Sequence, residues 1–472
     1  MNRRKIVATI GPATDSPEAL RRLVEAGMDV ARLNGSHADT AWHARTIARL
    51  RAVDPSIPIL LDIPGRKIRT VQLAHEPSFA AGDIVVLTTD QTHDGSAKVP
   101  VNYLDLHRDV SEGDTIFADD GQLRFTVQTV SELDIICRSE VAGTLRSAKG
   151  INVPSVTLQT ALVTERDREM LAFAGTHDVD FVGISFVESA THIRAVRDVI
   201  SAARPAVVAK IENQGAMAHL HDIVAAADAI MIDRGDLSVE TALESVVLFQ
   251  KQILAAAREA ACPAIVATEI LHSMIDASVP TKAEVSDITN AVLDGASALM
   301  LSGETAIGAF PFESVATMRR IVDCAVSFEE GSRRAVEPVS ATPAAVSAAV
   351  GLLCERAPIT KIVAVTISGF AARMIAAQFP RQRIIAVSNN EANARSFNLL
   401  AGVTGVCVNV PFLPDSTEHI SRSLEELWHR EHLNDEDLIL VVSVAYPKSG
   451  NRMNFMQMHR IADLRESLSW TR

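Results

Sequence analysis

Short apolar runs rich in β-branched residues recur along the chain, separated by stretches in which Leu, Ala, Arg and Glu repeat at helical spacing. The runs are "KIVATIG" (5–11), "VARLN" (30–34), "IPILLDI" (57–63), "DFVGISF" (180–186), "AVVAKIE" (206–212), "AIMIDR" (229–234), "PAIVATE" (263–269) and "ALMLSGE" (298–304). The first intervening segment, "SPEALRRLVEAG", reads as a helix with Ser16 as N-cap and Gly27 after its last turn. Eight such β-α units predict a parallel (β/α)8 TIM barrel, built from residues 1–70 and 165–336.

Between the third and fourth runs lie more than a hundred residues, far beyond a βα loop. Their pattern changes to period two with Gly/Asp turns, as in "GDIVVLTTD" and "GDTIFADDGQLRFTVQTV". This predicts an inserted all-β domain over residues 71–164, placed by its entry point above the catalytic end of the barrel, where a lid would sit. After the polar linker "EEGSRRAVEPVSATP", the strands "KIVAVTISG", "RIIAVSNN" and "DLILVVSVAYP" alternate with helices and predict a C-terminal α/β domain, 337–472.

A chain of 472 residues is too long for one core, in keeping with several domains. Its net charge of −13 argues against a nucleic-acid partner. The five cysteines are widely spaced and show no metal-ligand spacing, so they are expected to be reduced residues of a cytoplasmic protein. The start "MNRRKIVATIG" has no signal-peptide core, and no apolar stretch is long enough for a membrane span.

In a barrel of this kind the reacting groups stand at the C-terminal strand ends. The eight runs end, in order, on Thr9 and Gly11-Pro12; on Arg32, Asn34, Ser36 and His37; on Asp62 followed by Arg66, Lys67 and Arg69; on Ser185; on Lys210 and Glu212; on Asp233, Arg234 and Asp236; on Thr268 and Glu269; and on Ser302 and Glu304. Lys210 and Glu212 are two apart on one strand, so both face the barrel axis. Glu212 with Asp236 makes a two-carboxylate site suited to Mg²⁺, or Mn²⁺, completed by substrate oxygens and water. The bland alternative is a buried Lys–Glu pair that only fills the barrel. Arg32, Arg69 and Lys210 converging on two acids beneath a lid favour phosphoryl transfer, which needs cations against phosphate charge and water kept out.

Together, "KIVATIGPAT", "RLNGSH", "AKIENQ", "RGDLSVE", "PTKAEVSDITNAVLDGASALMLSGETA" and "SAKGINVPSV" resemble the pyruvate kinase family. The resemblance implies transfer of a phosphoryl group from phosphoenolpyruvate to ADP in the last step of glycolysis, by a cytoplasmic homotetramer. By motif match it implies that Lys210 neutralises the migrating group, Glu212 and Asp236 hold the divalent metal, and Arg32 and Arg69 grip phosphate oxygens. The peptide N–H groups around Gly235 and Asp236 would hold the substrate carboxylate. Thr268 and Ser302 match the face where the enolate takes its proton. Thr9, Pro12, Asn34, His37 and Arg69 match the nucleotide side, with Lys149 and Asp120 reaching from the inserted domain.

Asn34, Ser36 and Asp62 match the family's monovalent-cation ligands. Members with a D-T-K-G-P-E-I-R stretch need K⁺; here it reads D-I-P-G-R-K-I-R, with Lys67 in place of the glutamate. A tethered ammonium can sit where K⁺ would sit, so K⁺ is expected not to be required. Other positions depart from the family too. Asp233 stands for an alanine and is expected to repel the substrate, to pair with Arg66, itself in place of a proline, or to turn away and fix Arg234. Gly35 stands for a phenylalanine and is expected to leave space, Ser238 for a glycine, Glu269 for a glutamine and Glu188 for an arginine. "TISGFAAR" (366–373) keeps part of a phosphate-effector loop, with a plain strand–turn–helix as the favoured reading. His43 reads as structural.

These departures leave three rivals open: a phosphotransferase for another enol phosphate or hydroxy acid, a metal-dependent 2-oxo acid lyase, and a non-catalytic regulatory paralogue. A nucleotide-covering lid argues against the lyase.

Overall fold

In a computed structural model, residues 4–119, 121–154, 156, 161–200, 204–331, 342–412, 416–444 and 453–471 are described. Eight parallel strands close into a barrel: Lys5–Thr9, Val30–Asn34, Ile59–Ile63, Phe181–Ile184, Ala206–Ile211, Ala229–Asp233, Ala264–Ala267 and Ala298–Leu301. Each strand pairs with its neighbours in chain order, and the first pairs with the last, Ile6 opposite Leu299. The first barrel helix, Pro17–Ala26, starts where Ser16 Oγ accepts from the Ala19 N–H at 3.1 Å and stops at Gly27, whose φ of 114° suits glycine.

Strand alternation sorts the side chains into two layers. Ala8, Leu33, Leu61, Ile184, Ile211 and Ile232 point outward into the core beneath the helices. Val7, Val30, Leu60, Val208, Met231 and Met300 pack in the barrel interior, joined by Leu399 from the C-terminal domain. Continuing the same inward rows by two residues reaches Thr9, Arg32, Asp62, Lys210, Asp233 and Ser302. The interior is therefore apolar below and ionic at its upper end.

Between Ile63 and Phe181 a seven-stranded, largely antiparallel sheet carries its own core, including Ile116, Phe125 and Ile135. It joins the barrel through Ile68–Arg69, which pairs with Gly150–Asn152. The C-terminal sheet runs Val403–Cys407, Arg383–Ser388, Lys361–Val365, Leu438–Ser443 and Phe455–Arg460; the last strand is antiparallel. A polar seam fastens this domain to the barrel: Arg395 Nε lies 3.0 Å from Asp180 Oδ1, and Arg204 Nη2 donates to Ser396 Oγ at 2.6 Å. Among the described residues no helix is long and apolar enough to cross a membrane.

Candidate active site

The ionic layer is centred on Lys210. Its Nζ lies 2.9 Å from Asp233 Oδ2, 3.1 Å from Glu212 Oε2 and 3.7 Å from Asp62 Oδ2, and it donates to Ser185 Oγ at 3.2 Å. Burial alone would lower its pKa; the carboxylates of Asp233, Asp62 and Glu212 outweigh burial and push it well above the ordinary lysine value. Arg32 joins the cluster through Asp62 at 2.6 Å and donates to Thr9 Oγ1 at 3.2 Å.

The acids differ by environment. Burial works against ionised Asp233, but Lys210 and Lys67 overcome it and bring its pKa down to about 2. Burial pushes Glu212 up to about 8; Lys210 opposes this, while Asp233 and Asp236 add to it. Glu212 is fully buried; its Oε1 accepts from the Phe186 N–H at 2.5 Å, and among the described residues its Oε2 accepts no hydrogen bond beyond the ion pair with Lys210. Glu212, Asp233 and Asp236 each offer an oxygen within 4.8 Å of the others. Hard oxygen donors in this number, buried and close together, fit a divalent cation such as Mg²⁺ or Mn²⁺.

The loop after the seventh strand is held in an unusual backbone. Thr268 has φ of 65° and Glu269 of 54°, a region β-branched residues avoid. Arg234 holds the turn: its Nη1 reaches Asp287 at 2.7 and 2.9 Å, and its Nη2 donates to Thr268 O at 2.8 Å. Thr268 Oγ1 in turn accepts from the Gly235 N–H at 2.9 Å. Among the described residues, the buried Ser302 Oγ has no hydrogen-bond partner.

Several expectations from the sequence need correcting. Asp233 neither pairs with Arg66 nor fixes Arg234; it turns into the barrel onto Lys210. Arg66 pairs with Glu188 at 2.9 Å, so these two departures from the family meet each other. Lys67 does not bond Asn34, Ser36 or Asp62; its Nζ donates to both oxygens of Asp236, at 2.6 and 2.8 Å. Asn34 Oδ1 accepts from the Ser36 N–H. Gly35 leaves no space, because a Cβ there would meet the Asp62 carbonyl oxygen at 2.8 Å.

The nucleotide-side residues form a second group. Arg69 does not reach the acids; its Nη1 donates to Ala148 O at 3.2 Å. Burial, then Arg69 and Arg32, lower the pKa of His37, so the three lie together. His43 is buried against the His37 carbonyl at 3.1 Å and anchors that loop. Pro12 is exposed at the turn after the first strand. Lys149 Nζ pairs with Asp119 at 2.6 Å; Asp120 lies outside the described residues. In the C-terminal domain Thr366 Oγ1 accepts from the Gly369 N–H at the start of the helix Phe370–Ala376, a strand–turn–helix.

Sequence reasoning flagged Asp233 but not its direction. The alternation rule applied to Lys210 and Glu212 would have found it, since Met231 and Asp233 share one face of the sixth strand. It missed Glu240, which accepts from Asn152 Nδ2 of the inserted domain at 2.7 Å.

The model of the pyruvate kinase barrel domain matches residues 1–315, and that of the pyruvate kinase alpha/beta domain matches 344–459. A pyruvate kinase of Mycobacterium intracellulare is 38% identical over 98% of this chain and 99% of its own length. One of Thermococcus litoralis is 37% identical over 93% and 92%. A crystal structure of a pyruvate kinase from Cryptosporidium parvum superposes with a TM-score of 0.86 at 30% identity, covering 98% of this chain and 96% of the other. With both domains matched and near full-length coverage, this chain belongs to the pyruvate kinase family.

Proposed function

We propose that the chain transfers the phosphoryl group of phosphoenolpyruvate to ADP at the upper end of its barrel, with a divalent cation and without K⁺. The observation that carries this reading is the position of the Lys210 ammonium, buried at the meeting point of Glu212, Asp233 and Asp62 and joined through Asp62 to Arg32. A bound Mg²⁺ or Mn²⁺, held by Glu212 and Asp236, would supply charge to offset the phosphoryl oxygens. Lys210 sits where an in-flight phosphoryl group can lie against its ammonium. Arg32 and Arg69 grip phosphate oxygens from the side of His37. The Asp236 N–H receives the substrate carboxylate, joined by the Gly235 N–H as it exchanges its bond to Thr268 Oγ1 for the substrate. Thr268 and Ser302 flank the face on which the enolate is protonated. Thr9, Pro12, Asn34 and His37 border the nucleotide, and the inserted domain with Lys149 covers it against water.

The charge of Lys67 is covalently tethered beside Asp236, which removes the need for a bound monovalent ion at this edge. The working assembly in this reading is a cytoplasmic homotetramer, checked by light scattering on the purified protein. The activity is tested by a coupled assay for pyruvate with phosphoenolpyruvate, ADP and Mg²⁺ or Mn²⁺ in tetramethylammonium buffer. Turnover is expected before any K⁺ is added. Absence of turnover with retained pyruvate binding would overturn the reading in favour of another enol phosphate, a lyase or a non-catalytic role.

A further inference from the structure

We infer that Asp233 is a third carboxylate ligand of the divalent-cation centre, so that the substrate-free protein holds the ion through three side chains. The inference rests on the reading of the centre given above. Strand alternation turns Asp233 into the barrel, onto the same ammonium that faces Glu212. One oxygen from each of Glu212, Asp233 and Asp236 already lies within 4.8 Å of the others. An octahedral ion with bonds of about 2.1 Å separates its ligand oxygens by roughly 3 to 4 Å, so a closure of about an ångström joins all three.

The second observation is Glu212 itself. Its Oε1 is tied to the Phe186 N–H, which fixes the carboxylate, and its fully buried Oε2 ion-pairs with Lys210 and, among the described residues, accepts no hydrogen bond. Among the described residues the cation that faces this oxygen is the Lys210 ammonium, which it has to share. Lys210 stands 3.1 Å from it but is 2.9 Å from Asp233, so one ammonium serves two acids. With its charge engaged by a bound cation, Asp233 would hold Lys210 less tightly, and the ammonium would be left for the phosphoryl group. Asp233 thereby links metal loading to the availability of Lys210.

The test is Mn²⁺ binding to the full chain without substrate, followed by the resonance signal of free Mn²⁺. Asp233→Asn and Asp233→Ala are expected to weaken binding at least about ten-fold. Relaxation of solvent water by bound Mn²⁺ is expected to report about three inner-sphere waters in the unmodified protein and one more in the variants. Four waters on the unmodified protein's Mn²⁺ would overturn the inference even if the variants fail to fold. So would variants that bind Mn²⁺ as tightly as the parent, since Asp233 then serves Lys210 alone. Glu212→Gln separates the two readings: if it too leaves Mn²⁺ binding unchanged, the centre itself is misassigned.

Discussion

Lys67 and Asp236 are 169 positions apart in the chain, yet the Lys67 ammonium donates to both carboxylate oxygens of Asp236, at 2.6 and 2.8 Å. The pair is nearly shielded from solvent, with side-chain exposures of 13% and 11%. In the proposed reading, an ammonium fixed here supplies the positive charge of a bound monovalent ion without a binding equilibrium. Lys67→Glu is therefore expected to create a K⁺ requirement. In tetramethylammonium buffer its rate should fall at least about ten-fold, roughly 1.4 kcal/mol in barrier. K⁺ should restore part of it, read from the coupled assay with and without KCl.

Lys210 holds apart acids that would otherwise face one another: Asp233, Glu212 and Asp62. Lys210→Met should lower kcat by roughly a hundred- to a thousand-fold. In the presence of a chelator it should also lower stability by about 3 kcal/mol, because it leaves buried carboxylates uncompensated. Urea unfolding with and without Mn²⁺ measures this, and Mn²⁺ should return much of the lost stability.

Gly35 is a packing requirement. Its N–H donates to the Asp62 carbonyl at 2.7 Å, and a Cβ would meet that same backbone oxygen at 2.8 Å. Gly35→Ala should destabilise the protein by about 1–3 kcal/mol. It should also raise KM for phosphoenolpyruvate, because Asp62 anchors Arg32. An unchanged melting temperature would contradict this packing.

The hydrogen bond between Asn152 and Glu240 ties the inserted domain to the barrel. Burial pushes Glu240 up to about 7; Asn152 opposes this, Asp236 and Glu188 add to it, and Lys67 opposes it. The unfolded chain releases this proton near 4.5 and the folded chain only near 7, so between these values the folded state holds more proton. Stability from this group falls as pH rises through that window, by on the order of 3 kcal/mol in all. Glu240→Gln keeps an acceptor for Asn152 and should flatten the fall in melting temperature between pH 4.5 and about 7.

The barrel was legible because its signal is local. Short continuous apolar runs, as in Ala206–Ile211, specify buried strands, and the alternating direction of side chains along a strand aims Lys210 and Glu212 inward wherever the strand sits. The caps Ser16 and Gly27 are local in the same way. Pairings across the rim were not legible. Asp233 meets Lys210 and Arg66 meets Glu188 because barrel closure sets the spacing between strand ends, a property of the whole sheet. The amino-acid order by itself determined which side chains stand at the upper end of the barrel, since facing depends only on each strand's own geometry. Only the tertiary structure decided that Lys67 bonds Asp236 rather than the Asn34–Asp62 group, because a long side chain on a loop reaches several acids and the nearest one depends on how the strands close.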